Sequence, residues 1–162
     1  MISLEEYLST SYEDGDREYV DGEDLERNIG DLEHSDVQAA ALTYIYTRYR
    51  GVVWVVFSVR VRVAQSRIRV PDVTVVLGPK PAGRIVTSPP FIVIEVLSPE
   101  DRADRMQTKI ADYLEFGVAN VWVLDPETKS AIAYTREGVT PVSEGSLLTA
   151  NPVLELPLAE LF

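Results

Sequence analysis

The chain has 162 residues, 46% of them hydrophobic, with a formal net charge of −11 and no cysteine. That length suits one domain spanning residues 1–162 with a substantial core, and the composition excludes a disordered chain. The charge argues against coating nucleic acid through bulk attraction, and the missing cysteine excludes disulfides, zinc–thiolate sites and thiol nucleophiles.

No signal-peptide pattern precedes the first helix, and no apolar run is long enough to span a bilayer, so the expectation is a soluble, cytoplasmic protein. Ser3 followed by Glu6 reads as a capping box opening a short helix over Leu4–Leu8. Arg17–Val20, Asp21-Gly22 and Glu23–Ile29 read as a hairpin, because Asp-Gly suits tight turns of positive φ. A helix is predicted from His34 to Arg50, with Val37, Ala41, Leu42, Ile45 and Tyr49 at helical spacing and Gly51 as its stop.

Val52–Val63 reads as one long strand, apolar at every odd position and turning polar along its even ones. Arg67–Leu77 is the next strand. Gly78–Pro90 holds four prolines and two glycines and reads as a loop. Phe91–Leu97 is the most apolar strand. Ser98-Pro99-Glu100-Asp101 reads as a helix start, with a Ser cap, Pro in the first turn and acids at the positive end of the dipole. That helix runs to Phe116 and stops at Gly117. Asn120–Leu124 is a further strand, ended by Asp125-Pro126, and Ala131–Tyr134 begins a short C-terminal segment. The order is helix, three strands, helix, strand.

Three features carry chemistry. Glu95 interrupts Phe91–Leu97, and Asp72 lies inside Ile68–Leu77. An unpaired buried charge costs several kcal/mol, so such acids call for a cation or hydrogen bonds. Carboxylates on neighbouring strands are hard oxygen ligands of the kind Mg²⁺ takes while keeping water positions open, and a metal so held can activate water at a phosphoryl group. The bland alternative is a strand-end Asp72 and a Glu95 paired with a nearby Arg. The second feature is Lys109 on the returning helix, about three turns in, where its ammonium meets both acids; the alternative is an exposed pair with Asp112. The third is the hairpin turning at Ala64-Gln65. That register sets Arg62 opposite Arg67 and Arg60 opposite Arg69. The shared surface is either phosphate-binding or neutralised by the chain's own acids. In the same register Asp72 falls on the opposite face unless Pro71 bulges the strand.

Val70-Pro71-Asp72-Val73, Ile94-Glu95-Val96-Leu97-Ser98-Pro99, Lys109…Tyr113…Phe116-Gly117-Val118 and Val121-Trp122-Val123-Leu124-Asp125-Pro126 resemble a large bacterial restriction-endonuclease-like family of the PD-(D/E)XK nuclease superfamily. Tyr19-Val20-Asp21-Gly22-Glu23 is similar to that family's early Gly-Glu hairpin, and His34 to the histidine opening its first core helix. The resemblance covers nearly the whole chain in order. It implies an α/β (α+β mixed sheet) fold with an αβββαβ core behind an N-terminal helix and hairpin. It also implies Mg²⁺- or Mn²⁺-dependent cleavage of DNA, and a homodimer. Asp72 and Glu95 match the metal-binding acids. Leu97 stands where the superfamily has its lysine, and Lys109 matches the helix lysine that replaces it in this family. His34 and Glu23 are candidates for groups behind the metal ligands. Two rivals remain open at this point. The net charge and Leu97 favour a catalytically inactive interaction module, and an acidic exterior suits a hydrolase of small phosphorylated molecules.

Overall fold

The computed structural model describes residues 1–162, and the chain folds as a mixed α+β protein. In chain order the elements are α1 (Leu4–Ser9), β1 (Glu18–Val20), β2 (Glu23–Leu25), α2 (Leu32–Arg48), β3 (Val53–Phe57), β4 (Val61–Ala64), β5 (Arg67–Arg69), β6 (Val73–Leu77), β7 (Ile92–Val96), α3 (Ala103–Phe116), β8 (Asn120–Asp125), β9 (Ser130–Thr135), β10 (Gly138–Val142), β11 (Ser146–Leu148) and β12 (Glu155–Pro157). The predicted core order is present as α2, β3, β6, β7, α3, β8. The central sheet runs β10-β9-β8-β7-β6-β3, antiparallel except where β7 and β8 lie parallel across the α3 crossover. A smaller sheet, β2-β1-β5-β4, lies apart from it, and β11 pairs with β12.

Strand alternation sorts the central sheet into two faces. Val73, Val75, Ile92, Ile94, Val96, Trp122 and Leu124 pack on Val37, Ala41 and Ile45 of α2. On the other face Val93, Val121 and Val123 pack on Met106, Ile110 and Tyr113 of α3, joined by Val61 and Val63 from the small sheet. Glu95 shares the α3 face with Val93, so its carboxyl is buried in the layer from which Lys109 and Tyr113 project. Each fully buried Ile on these faces contributes about 1.5–3 kcal/mol, so the layers together outweigh the several kcal/mol of burying one acid.

Two predicted strands are each divided between sheets. Val52–Val63 breaks at Ser58, whose φ of 50° puts it in the left-handed region, and the chain leaves the central sheet for β4. Arg67–Leu77 breaks at Val70-Pro71-Asp72, where the chain returns. Pro71 offers no N–H to continue a ladder. The β3–β6 ladder closes at Phe57 and Val73, and beyond it Ser58 N donates to the Asp72 carbonyl at 3.3 Å. The backbone of Asp72 is gripped again by Gln38 Nε2, which donates to the same carbonyl at 3.2 Å. The hairpin register also differs from expectation. Arg62 pairs with Ile68, Val61 with Arg69 and Ala64 with Arg67, across a bulge between Arg62 and Ala64. The turn falls at Gln65-Ser66, and Arg60 lies outside the strand.

The helix expected at Ser98 begins at Ala103. Ser98–Asp101 forms a closed turn instead, with Ser98 N donating to Asp101 Oδ2 at 2.6 Å and Asp101 N to the Ser98 carbonyl at 3.0 Å. Asp101's side chain satisfies the backbone locally, which is how short acids compete with helix. Lys109 is therefore the seventh residue of α3, about two turns in, and Gly117 closes the helix at φ 111°.

Candidate functional site

Asp72, Glu95 and Lys109 converge on one cavity of about 60 Å³, in which only Val96 and Met106 of the lining residues are apolar. That volume has room for several waters. Asp72 sits where the chain re-enters the sheet, and its Oδ2 accepts the Val96 N–H at 2.7 Å. One strand across, Glu95 Oε1 accepts from Tyr113 Oη at 2.6 Å and meets Lys109 Nζ at 3.1 Å. Lys109 Nζ also lies 3.0 Å from Glu18 Oε1. An ammonium has three donors and no acceptor, so two are committed to carboxylates and one is left. Of the two acids expected beside Lys109, its ammonium contacts Glu95 and not Asp72, Glu18 being its second partner, and the alternative pairing with Asp112 does not form. Asp112 accepts instead from Arg67 and Arg69.

The electrostatics separate the two acids. Burial opposes ionisation of Asp72, but His34, the Val96 N–H and Lys109 outweigh it and hold its pKa below the usual value. Burial dominates at Glu95. Lys109 opposes it, the charges of Asp72 and Glu18 reinforce it, and the carboxyl is pushed up to about 7. The two acids face each other's charge, so at neutral pH one carboxylate is firmly ionised and the other is poised. Glu18, buried but held by Lys109, Arg69 and the Val70 N–H, falls to about 2. Lys109 is buried too, yet the three surrounding acids drive its pKa up and keep it charged.

His34, in the first turn of α2, places Nε2 3.3 Å from Asp72 Oδ2. It is the only histidine in the chain, so its resonances are unambiguous. The hydrogen bond to Asp72 raises its pKa above the ordinary 6.5, against the opposing effect of burial. A raised histidine pKa contributes stability that is complete below pH 6.5 and is lost as pH rises through the folded value. In Asp72→Asn the carboxylate goes and the burial stays. The imidazole titration followed by proton NMR should therefore move down, to 6.5 or below; an unmoved titration would show that the contact with Asp72 is absent in solution.

Other expectations meet a different geometry. Glu23 is exposed on β2, its backbone opposite Val20, and does not border the cavity. Glu18, on the partner strand, is the hairpin acid that reaches inside. The arginine surface does not form. Arg60 is bound to Asp16 at 2.6 Å, Arg67 to Asp112 at 2.7 Å and Asp21 at 2.8 Å, and Arg69 is buried between Glu18 at 3.0 Å and Asp112 at 2.7 Å. Arg62 donates to the Gln65 carbonyl beside it. For Arg60, Arg67 and Arg69 the outcome is neutralisation by the chain's own acids. Glu18 escaped the sequence reading, and Asp112 was read only as an exposed partner for Lys109, because each belongs to an unremarkable polar position. The only signal was Arg69, inside an otherwise apolar stretch, which needed two buried counter-ions.

No three histidine or acidic side chains gather into a metal cage. The two carboxylates of Asp72 and Glu95 still fit a hydrated divalent ion. Mg²⁺ characteristically uses one or two carboxylates, with waters and substrate phosphates completing its shell. A carboxyl raised to about 7 by burial, and further by its acidic neighbours, also marks a site where added positive charge would be welcomed.

A family profile described as "Uma2: Putative restriction endonuclease" matches residues 4–160. No curated protein matches the chain. Among solved structures, that of a "putative nuclease belonging to DUF820 from Anabaena variabilis ATCC 29413" superposes with a TM-score of 0.84 at 22% identity. The superposition covers 100% of this chain and 98% of that one, and it shows a shared fold.

Proposed function

Because the chain belongs to the Uma2 family, we propose that it is a Mg²⁺- or Mn²⁺-dependent endonuclease that hydrolyses DNA phosphodiester bonds, working as one domain over residues 1–162. The observation that carries this reading is the meeting of Asp72, Glu95 and Lys109 at one polar cavity. Asp72 and Glu95 would hold the divalent ion, whose contribution when bound is to polarise a phosphoryl oxygen and lower the pKa of water. Lys109, permanently charged, would donate its remaining N–H to the attacking water or to a phosphoryl oxygen, opposing the negative charge that grows there. It has no lone pair to offer, so it is not the base. Tyr113 and Glu18 would keep Glu95 and Lys109 in place. His34 would orient Asp72 from behind.

The arrangement favours an active enzyme over a silent module. A module that merely kept the fold has no use for an ammonium and two acids buried together, a grouping that hydrophobic residues replace at little cost or with a gain. Two copies of the chain would act together in the cytoplasm. The edge strand β3 carries no charge along Val53–Phe57 and leaves Phe57 exposed, features that open a sheet edge to pairing. No helix is long and apolar enough to cross a membrane.

The test is plasmid nicking with and without Mn²⁺, joined to calorimetry of Mn²⁺ binding. Asp72→Asn and Glu95→Gln should each lose cleavage by at least about 10²-fold and weaken metal binding about tenfold or more. Metal-dependent nicking that survives both substitutions would reject the assignment. Absence of Mn²⁺ binding at millimolar concentration in the wild type would return the choice to the inactive module.

A further inference from the structure

We propose that Arg27, Arg102 and Arg105 form a phosphate-binding rim that holds the backbone of a nucleic-acid strand over Asp72 and Glu95. This rests on the nuclease reading and deepens it, because it names the groups that meet the substrate. All three arginines line the cavity that contains the two acids and Lys109.

Their own contacts distinguish them from the hairpin arginines. Arg27 NH2 is 3.4 Å from Asp72 Oδ1, Arg102 Nε is 3.4 Å from Asp104 on an exposed surface, and Arg105 NH2 is 3.4 Å from the Glu26 carbonyl. Arg60, Arg67 and Arg69 each hold a carboxylate at 2.6–2.7 Å. The Arg102 pair is long and exposed and is worth little. Arg105 meets only a backbone carbonyl and Arg27 holds its acid at a long 3.4 Å, so a charge-assisted bond to phosphate competes with each. Two further acids that line the opening are occupied elsewhere. Asp101 accepts from Asn28 Nδ2 at 2.7 Å and from Ser98 N at 2.6 Å, and Glu26 reaches towards Arg17.

The rim is also held in register. The Asn28–Asp101 and Arg105–Glu26 bonds strap the segment after β2 to the start of α3, so Arg27 lines the same opening as Arg102 and Arg105. Arg102 stands in extended conformation just before α3 and Arg105 in the helix's first turn, so the cations are spread along the opening. Spread donors suit successive phosphates of a strand better than one isolated phosphate. The acids beneath would repel a free phosphate dianion that brought no further contacts.

The experiment measures binding of a short fluorescein-labelled DNA duplex by anisotropy, in Ca²⁺, across a range of NaCl concentrations. Each phosphate contact adds about 0.9 to the slope of log K against log salt. Arg27→Gln, Arg102→Gln and Arg105→Gln should each flatten the wild-type slope by about 1, so the affinity lost between 50 and 200 mM salt shrinks roughly 3.5-fold. Arg136→Gln, exposed in the turn between β9 and β10, should leave the slope alone. Duplex binding with unchanged slopes in all three rim variants overturns the rim while leaving the nuclease reading standing. A slope flattened by Arg62→Gln instead returns the contacts to the hairpin and overturns it too. A 5′-mononucleotide competing at the duplex's own concentration overturns the strand in favour of a small phosphorylated ligand. A wild type that binds no duplex at any salt removes the nuclease reading itself, and the rim with it.

Discussion

Replacing Lys109 with Met is expected to lower metal-dependent DNA cleavage about 10²- to 10³-fold while the protein remains folded. The activity loss follows from the proposed role. A fixed ammonium opposing charge that develops in the transition state is worth roughly 3–4 kcal/mol in a water-poor site. The fold survives because both acids that lose Lys109 have a remedy. Glu18 keeps Arg69 at 3.0 Å and the Val70 N–H at 3.0 Å. Glu95 keeps Tyr113, and its carboxyl, already pushed up to about 7, rises further without the nearby cation and becomes neutral. The sign is checkable in the metal-free wild type. Glu95 binds its proton more tightly folded than unfolded, so its contribution to stability is complete below pH 4.5 and is lost as pH rises towards 7. In Lys109→Met the loss should extend to higher pH. Single-turnover cleavage and urea melts at pH 5, 7 and 8.5 separate the two effects. Cleavage at the wild-type rate would remove Lys109 from the site, and collapse of the fold at pH 5 would show that Glu95 has no neutral form to retreat to.

Much of this was legible in the residues, and the part that was not has a common cause. Strands β7 and β8 and the capped ends of α1 and α3 announce themselves through local chemistry: apolar runs, that of β7 broken only by Glu95, Ser3 accepting from Glu6 N, Gly117 in the left-handed region. Asp72 and Glu95 stood out because a charge inside an apolar strand demands an explanation. The divided strands did not stand out. Ser58 carries no glycine or proline signal, and alternation runs on unbroken through a point where the chain changes sheets. Register suffered next: a one-residue bulge between Arg62 and Ala64 undid the expected arginine pairs. Glu18 and Arg27 were invisible, and Asp112 was assigned an exposed partner instead of its buried ones, because their importance is purely tertiary. Each lies far along the chain from its partner, and no local pattern marks a surface-type residue as buried or cavity-lining.

Asp112→Ala is expected to cost about 3–5 kcal/mol of folding stability, more than Lys109→Met, although Asp112 plays no part in the proposed chemistry. The reason lies in which partner is abandoned. Asp112 is buried and accepts from Arg67 NH1 at 2.7 Å and from Arg69 Nε at 2.8 Å and NH2 at 2.7 Å. Carboxylates stripped of a cation can take a proton, but a guanidinium stripped of a carboxylate stays charged. Arg69, only 4% exposed, would be left with Glu18 alone for a charge it has no means of discarding. Breaking one side of a buried pair carries the penalty of the survivor, whereas replacing the whole set with apolar residues often does not. Adding Arg69→Met to Asp112→Leu should therefore recover a large part of the stability lost by Asp112→Leu alone, since Glu18 retains Lys109 at 3.0 Å. Urea midpoints of the single and double variants close the cycle. Additive losses, with no recovery in the double variant, would mean that Asp112 acts through packing of α3. The expected non-additivity would establish that the small sheet is fastened to α3 by a charge network whose far end is Lys109, so that the position of the ammonium at the acids depends on ion pairs formed well behind it.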